Sequence, residues 1–224
     1  MLDNEAFNYV TSRLDFWDKL NEEEKNILQN NTTNVVFSKG SKLYSTNNEC
    51  LGVLLVHSGE LRVYILSEDG RDITLYRILE GELCVLSASC VLNSITFDVE
   101  IEAEQDTEAY LINIGAFSKL TSQNVYVENF AYKNAIERFS DVMWSMEQIL
   151  FMKFDRRLAI FLLDEMAKTN SSDLTITQEQ IAKYVGSARE VVSRMLKVFQ
   201  SQGILEQSRG SIRILDRDKL MALI

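Results

Sequence analysis

Residues 187–197 read "SAREVVSRMLK", three cations and a glutamate set among apolar residues. With Arg189 at the origin of a helical wheel, Ser193, Lys197, Glu190 and Arg194 fall at roughly 40°, 80°, 100° and 140°. Val198, Val191, Met195, Phe199, Val192 and Leu196 fill the arc from roughly 180° to 340°. One face can therefore pack into a domain while the other carries three cations on a single stripe. The chemistry open to that stripe is recognition of an acidic, patterned surface. Arginine binds guanine O6 and N7 bidentately and glutamate accepts from cytosine N4. Lysine neutralises phosphate, and a helix N-terminus can also take one.

The flanking residues position such a helix. In "TITQEQIAKYVGSAREVVSRMLKVFQSQGIL", Thr177 with Gln180 and Ser187 with Glu190 each have capping-box spacing, marking two helix starts. Gly186 sits in the joint, where positive φ costs little. Ala182 is small where the second helix must cross closely, and Val192 fills the space between the helices. Small, glycine and β-branched residues at this spacing predict a helix-turn-helix, whose second helix enters the major groove by its N-terminal end. The expected contacts are Arg189, Glu190, Ser193 and Arg194 to bases and Lys197 to phosphate. After Gly203, "ILEQSRGSIRIL" predicts a two-stranded wing turning at Ser208–Gly210, with Arg209 at its tip as a backbone contact.

Upstream the texture changes twice. The first 30 residues read as short helices. From Asn34 to about Ile114, β-branched runs separated by glycines predict many short strands closed into a sandwich or barrel. "SEDGRD" forms one hairpin loop, and "FDVEIEAEQDTEAYLINI" supplies two strands. Residues 117–152 then predict one long helix on which Tyr132, Ile136, Phe139, Met143, Met146 and Leu150 make a heptad seam, the pattern of a two-chain coiled coil. Asp155 is expected to cap the next helix, "RRLAIFLLDEMAK". The fold class is α+β, with a β domain and its N-terminal helices over 1–116, a dimerisation helix over 117–152 and a winged helix-turn-helix over 153–224.

Bulk properties narrow the class. The chain has 224 residues and a net charge of −10. Residues 1–150 hold 11 Lys and Arg against 24 Asp and Glu, a net −13, whereas residues 151–224 hold 12 against 9, a net +3. Screening over about 8–10 Å makes the local balance the relevant one, so a basic C-terminal third can grip phosphate on an acidic body. No apolar run reaches the roughly 18 residues of a membrane span, the opening residues do not form a secretory signal, and three cysteines are too few for a disulfide framework. These features predict a cytoplasmic protein with no membrane partner.

Together these stretches resemble the Crp/Fnr family of bacterial transcription regulators over nearly the whole chain. "KGSKLYS" and "LGVLLVHSGELRVYILSEDGRDITLYRILEGE" resemble the family's β-roll, a double-stranded jelly roll like a cyclic-nucleotide-binding domain, with Gly40, Gly59, Gly70 and Gly81 at its turns. The 117–152 helix resembles the dimerisation helix, and "SAREVVSR" the recognition-helix core. Cyclic-AMP-type members carry Arg-Glu and then Arg at the spacing of Arg189, Glu190 and Arg194. Fnr-type members carry Glu, Ser and Arg at that of Glu190, Ser193 and Arg194. This chain holds both sets. The resemblance implies a homodimer on double-stranded DNA, a pseudopalindromic promoter site with TGA-like half-sites, and contact with RNA polymerase.

What the β-roll would sense is a separate question. Cyclic-nucleotide binders neutralise the phosphate with an arginine after their Gly-Glu, but here no cation follows Arg77 until Lys119, and the intervening strands are acidic. A cyclic nucleotide is therefore not expected; Glu82 remains from that pattern and stays a candidate at the effector site, though it is expected rather to serve its turn. An Fnr-type iron–sulfur cluster needs four thiolates, and His57 is the only histidine; neither cluster nor haem is expected, and no metal site. Cys84 and Cys90 are candidates for a redox pair or an effector site, or are two small buried hydrophobes. Of the rival readings, a cupin-like enzyme lacks clustered histidines. The other is a ligand- or redox-sensing β-roll module whose DNA domain is not its main output. The identity of the effector stays open.

Overall fold

The computed structural model describes residues 2–44, 52–68, 70, 72–84 and 99–224. These fall into two units, one built from Met1–Leu66 and Leu75–Val142, the other from Ser67–Thr74 and Met143–Ile224.

The first unit opens with α1 (Asn4–Ser12), a 3-10 turn (Trp17–Lys19) and α2 (Glu22–Asn30). Asp3 caps α1 by accepting the Ala6 N–H at 2.8 Å. Asn21 and Glu24 form a reciprocal capping box on α2, with bonds of 2.9 and 2.8 Å. The strands follow: β1 (Thr32–Phe37), β2 (Lys42–Tyr44), β3 (Gly52–Ser58), β4 (Leu61–Leu66), β5 (Asp72–Ile78), β6 (Leu83–Cys84), β7 (Glu100–Ala103) and β8 (Thr107–Asn113). They form two sheets, ordered β1-β8-β3-β6 and β2-β7-β4-β5. Strand β3 shows why its sequence, "GVLLVHS", is apolar without alternation. Val53 and Leu55 face the N-terminal helices with Val10, Leu28 and Phe117, while Leu54 and Val56 pack with Leu61, Val63 and Ile101. A strand buried on both faces has no solvent side to mark with polar residues.

The expected single helix over 117–152 is two. α3 (Ile114–Gln123) stops at Asn124, whose backbone is extended, and α4 (Val125–Phe151) begins there. Asn124 serves both sides of the break. Its Oδ1 accepts the Tyr126 N–H at 3.0 Å, and its Nδ2 donates to the Glu24 carboxylate at 3.1 Å. An apolar seam runs along α4 uncovered: Tyr132, Met143, Met146 and Leu150 are exposed, Ile136 and Phe139 by 65% and 62%.

The second unit adds α5 (Phe154–Thr169), β9 (Asp173–Leu174), α6 (Gln178–Tyr184), α7 (Arg189–Ser201), β10 (Leu205–Ser208), β11 (Ser211–Ile214) and α8 (Arg217–Met221). Leu158, Leu162, Ile181, Val192, Leu196, Phe199, Leu205, Ile212 and Leu220 make its core. Asp155 does not cap α5. Lys153 is the cap residue and makes no side-chain bond, while Asp155 lies inside the first turn and accepts the Arg156 N–H at 2.9 Å. The wing has a third strand the sequence did not announce, since β9 extends its sheet to the order β10-β11-β9.

Candidate nucleic-acid interface

α6 and α7 are set by local signals. Thr177 caps α6 in a capping box with Gln180, and Gly186 takes the left-handed conformation at φ 59°. Ala182 and Val192 are both buried at the crossing, as the steric pattern requires. The second expected capping box is absent. The Ser187 N–H donates to Ala182 O at 2.9 Å, so the turn continues past Ser187. The N-cap falls on Ala188, which has no side-chain oxygen to offer. Glu190 is thereby released from capping.

The recognition face sorts as the wheel expects. Val192, Leu196 and Phe199 are buried, Val191, Met195 and Ser193 half-buried, and Arg189, Glu190, Arg194 and Lys197 exposed. Val198, at the edge of the apolar arc, is 44% exposed. None of the described residues forms an ion pair with Arg189, Glu190, Arg194, Lys197 or Arg209. Arg209 stands at the wing tip beside Gly210, whose φ of 78° closes the two-residue turn between β10 and β11.

On the β-roll side, Glu82 serves its turn as expected, accepting the Leu79 N–H at 3.1 Å. It also lies 3.7 Å from the guanidinium of Arg138 on α4, which bonds Asp141 at 2.9 Å. Arg138 brings a cation to this turn from a helix far along the chain, although the segment after Arg77 has none. Its guanidinium carbon lies 5.2 Å from the centre of the Tyr76 ring. Tyr76 is 8% exposed, and its hydroxyl has no hydrogen-bond partner among the described residues. Burial first, and then the Cys84 thiol, push the Tyr76 hydroxyl well above its ordinary pKa. Cys84 is wholly buried; Cys90 and Cys50 lie outside the described residues.

The acidic strand β7 does not leave its charges facing an effector. Arg62, 0% exposed, lies 3.1 Å from Glu104 and 3.7 Å from Glu102 and stacks on Tyr64 at 4.0 Å. Lys42 lies 3.7 Å from Glu100. Glu100, Glu102 and Glu104 are therefore part of a sheet-internal ion-pair ladder. Only residues across the sheet disclose this, since Arg62 and Glu102 are cross-strand partners on β4 and β7.

Comparison with known proteins agrees with this arrangement. Residues 156–223 match the Crp-like helix-turn-helix domain and residues 34–124 the cyclic nucleotide-binding domain. The chain is 26% identical over 195 residues to the transcriptional activator protein FnrA of Stutzerimonas stutzeri, covering 83% of this chain and 78% of the relative. It is 25% identical to the fumarate and nitrate reduction regulatory protein of Vibrio cholerae over 97% of this chain and 84% of the relative. A crystal structure from Eubacterium rectale, described as a transcriptional regulator of the Crp/Fnr family, is 42% identical. It superposes with a TM-score of 0.89 over 95% of this chain and 98% of its own. With that identity sustained over both lengths, the chain belongs to the Crp/Fnr family of transcription regulators.

Proposed function

We propose that the protein acts as a cytoplasmic homodimer that binds a pseudopalindromic promoter site, presents itself there to RNA polymerase, and catalyses no reaction. α7 enters the major groove with Glu190, Ser193 and Arg194 toward base edges, while Lys197, Arg209 and the uncapped first turn of α7 contact phosphate. The observation that carries this reading is the split of α7 into a buried apolar face and an exposed face whose charges have no ion-pair partner among the described residues. A helix needs no such face for its own stability. The exposed seam of α4, running from Tyr132 to Leu150 or roughly 28 Å, is read as the place where a second copy packs.

Control is assigned to the β-roll. A wholly buried Cys84 is shielded from oxidants, whereas the buried Tyr76 hydroxyl, without a partner among the described residues, is what a small ligand can satisfy. We therefore favour a small molecule over a redox signal. The main reading is tested by gel shift on sequences selected from a randomised duplex pool. Wild type should prefer its selected site over scrambled duplex, and Arg194→Ala should lose that preference. An Arg194→Ala protein that binds and discriminates like wild type would instead favour a sensing module with another output.

A further inference from the structure

A cleft of about 420 Å³ opens in the second unit between the start of α6, the start of α7 and the wing hairpin. Arg189 is the only α7 residue that lines it, across from Arg209 at the wing tip; Glu190, Ser193, Arg194 and Lys197 do not. Arg189 and Arg209 are its two cations and Glu179 its one acid, with the Ser208 and Ser211 hydroxyls also on the wall. An amide relay fixes the cleft's frame. Gln178 Nε2 donates to Gln207 Oε1 at 2.9 Å, and Gln207 Nε2 donates to Gln200 Oε1 at 3.0 Å. The relay ties the first residue of α6 to β10 and then to α7, so the wing is held at a set distance from the recognition helix.

We infer that Arg189 does not read a base: with Arg209 it grips one DNA backbone strand in this cleft, leaving Glu190, Ser193 and Arg194 as the base-reading set. The inference rests on the DNA-binding reading above and divides labour within it. A cleft with two guanidiniums, hydroxyl donors and a single acid suits a chain of phosphates. Ile176 and Ile212 also line it, and Arg209 brings the wing tip to the same cleft as Arg189. Cations that contact phosphate contribute affinity and salt dependence without sequence information.

The test uses the full-length protein and the duplex pool selected by wild type. Binding is measured for every single-base-pair variant of the half-site and as a function of salt. Arg189→Ala and Arg209→Ala should each weaken binding by the same factor at every sequence, roughly ten-fold or more. Each should also lower the slope of log affinity against log salt by about one per subunit. Arg189→Lys should restore most of the affinity, because a point charge suffices for phosphate but not for bidentate guanine readout. Loss of preference at one base-pair position in Arg189→Ala, not rescued by lysine, would overturn the inference and leave the DNA-binding reading intact. Failure of wild type to select any sequence would overturn both.

Discussion

The β-roll and the face formed by α7 and the wing tip treat charge in opposite ways. In the β-roll, cations are used within the fold: Arg62 lies buried between Glu102 and Glu104, Arg77 bonds Glu60 at 3.1 Å, and Arg138 is shared by Glu82 and Asp141. On α7 and the wing, Arg189, Glu190, Arg194, Lys197 and Arg209 stand without an ion-pair partner among the described residues. Composition does not reveal this. Read whole, the −10 net charge argues against a nucleic-acid partner; read by pairing, Arg62, Arg77 and Arg138 are held within the first unit, whereas in the second Arg213 and Lys219 pair with Asp173 and Asp216 while the α7 and wing-tip charges have no ion-pair partner among the described residues. The general lesson is that the signature of a binding face is charge left uncompensated by the chain itself, whatever the sign of the total.

Four perturbations test that contrast. The largest effect is expected at the uncovered α4 seam, the apolar counterpart of the open cations. Ile136→Asp with Phe139→Asp should convert a dimer to a monomer in sedimentation equilibrium. It should weaken binding to the two-half-site duplex by on the order of a hundred-fold or more, because the half-sites are no longer engaged together. Next, Arg62→Ala should cost about 3–5 kcal/mol in chemical denaturation, since it strands carboxylates inside the sheet, while base preference stays as in wild type. A small loss there would mean that the buried pairs are not structural. Arg194→Ala should do the reverse: about 1–3 kcal/mol of discrimination lost per half-site, with folding stability within about 0.5 kcal/mol of wild type.

The smallest effect is expected at Tyr76. Tyr76→Phe removes a buried hydroxyl that has no partner among the described residues and should be neutral or stabilising by about 1 kcal/mol. Burial raises the folded-state pKa of this group, so the folded protein keeps a proton that the unfolded chain releases near 10. Its contribution is intact below that value and is lost as pH climbs above it. Ultraviolet titration should find a late-ionising tyrosine in wild type that is missing from Tyr76→Phe.

Legibility in the sequence followed the range of the interactions. The α7 stripe, the Thr177–Gln180 box, Gly186, the wing turn and the α4 seam depend on neighbours within a turn or two, and spacing alone revealed them. The Ser187–Glu190 box had the right spacing but failed because a backbone bond from Ser187 to Ala182 claimed the position first. The break at Asn124 is fixed partly by Glu24, a hundred residues earlier. Arg138 reaches Glu82, and Arg62 reaches β7, across separations that no local pattern encodes. β9 joins the wing through Asp173 and Leu174, too short a run to register as a strand without its partner β11.

The Arg138 guanidinium answers two carboxylates, one on the β-roll turn and one three residues along its own helix. If the turn withdraws Glu82, Asp141 still pairs with the arginine, and Glu82 keeps the Leu79 amide. Neither end is left stranded, so the mooring between sheet and helix can be cast off and retied at little cost.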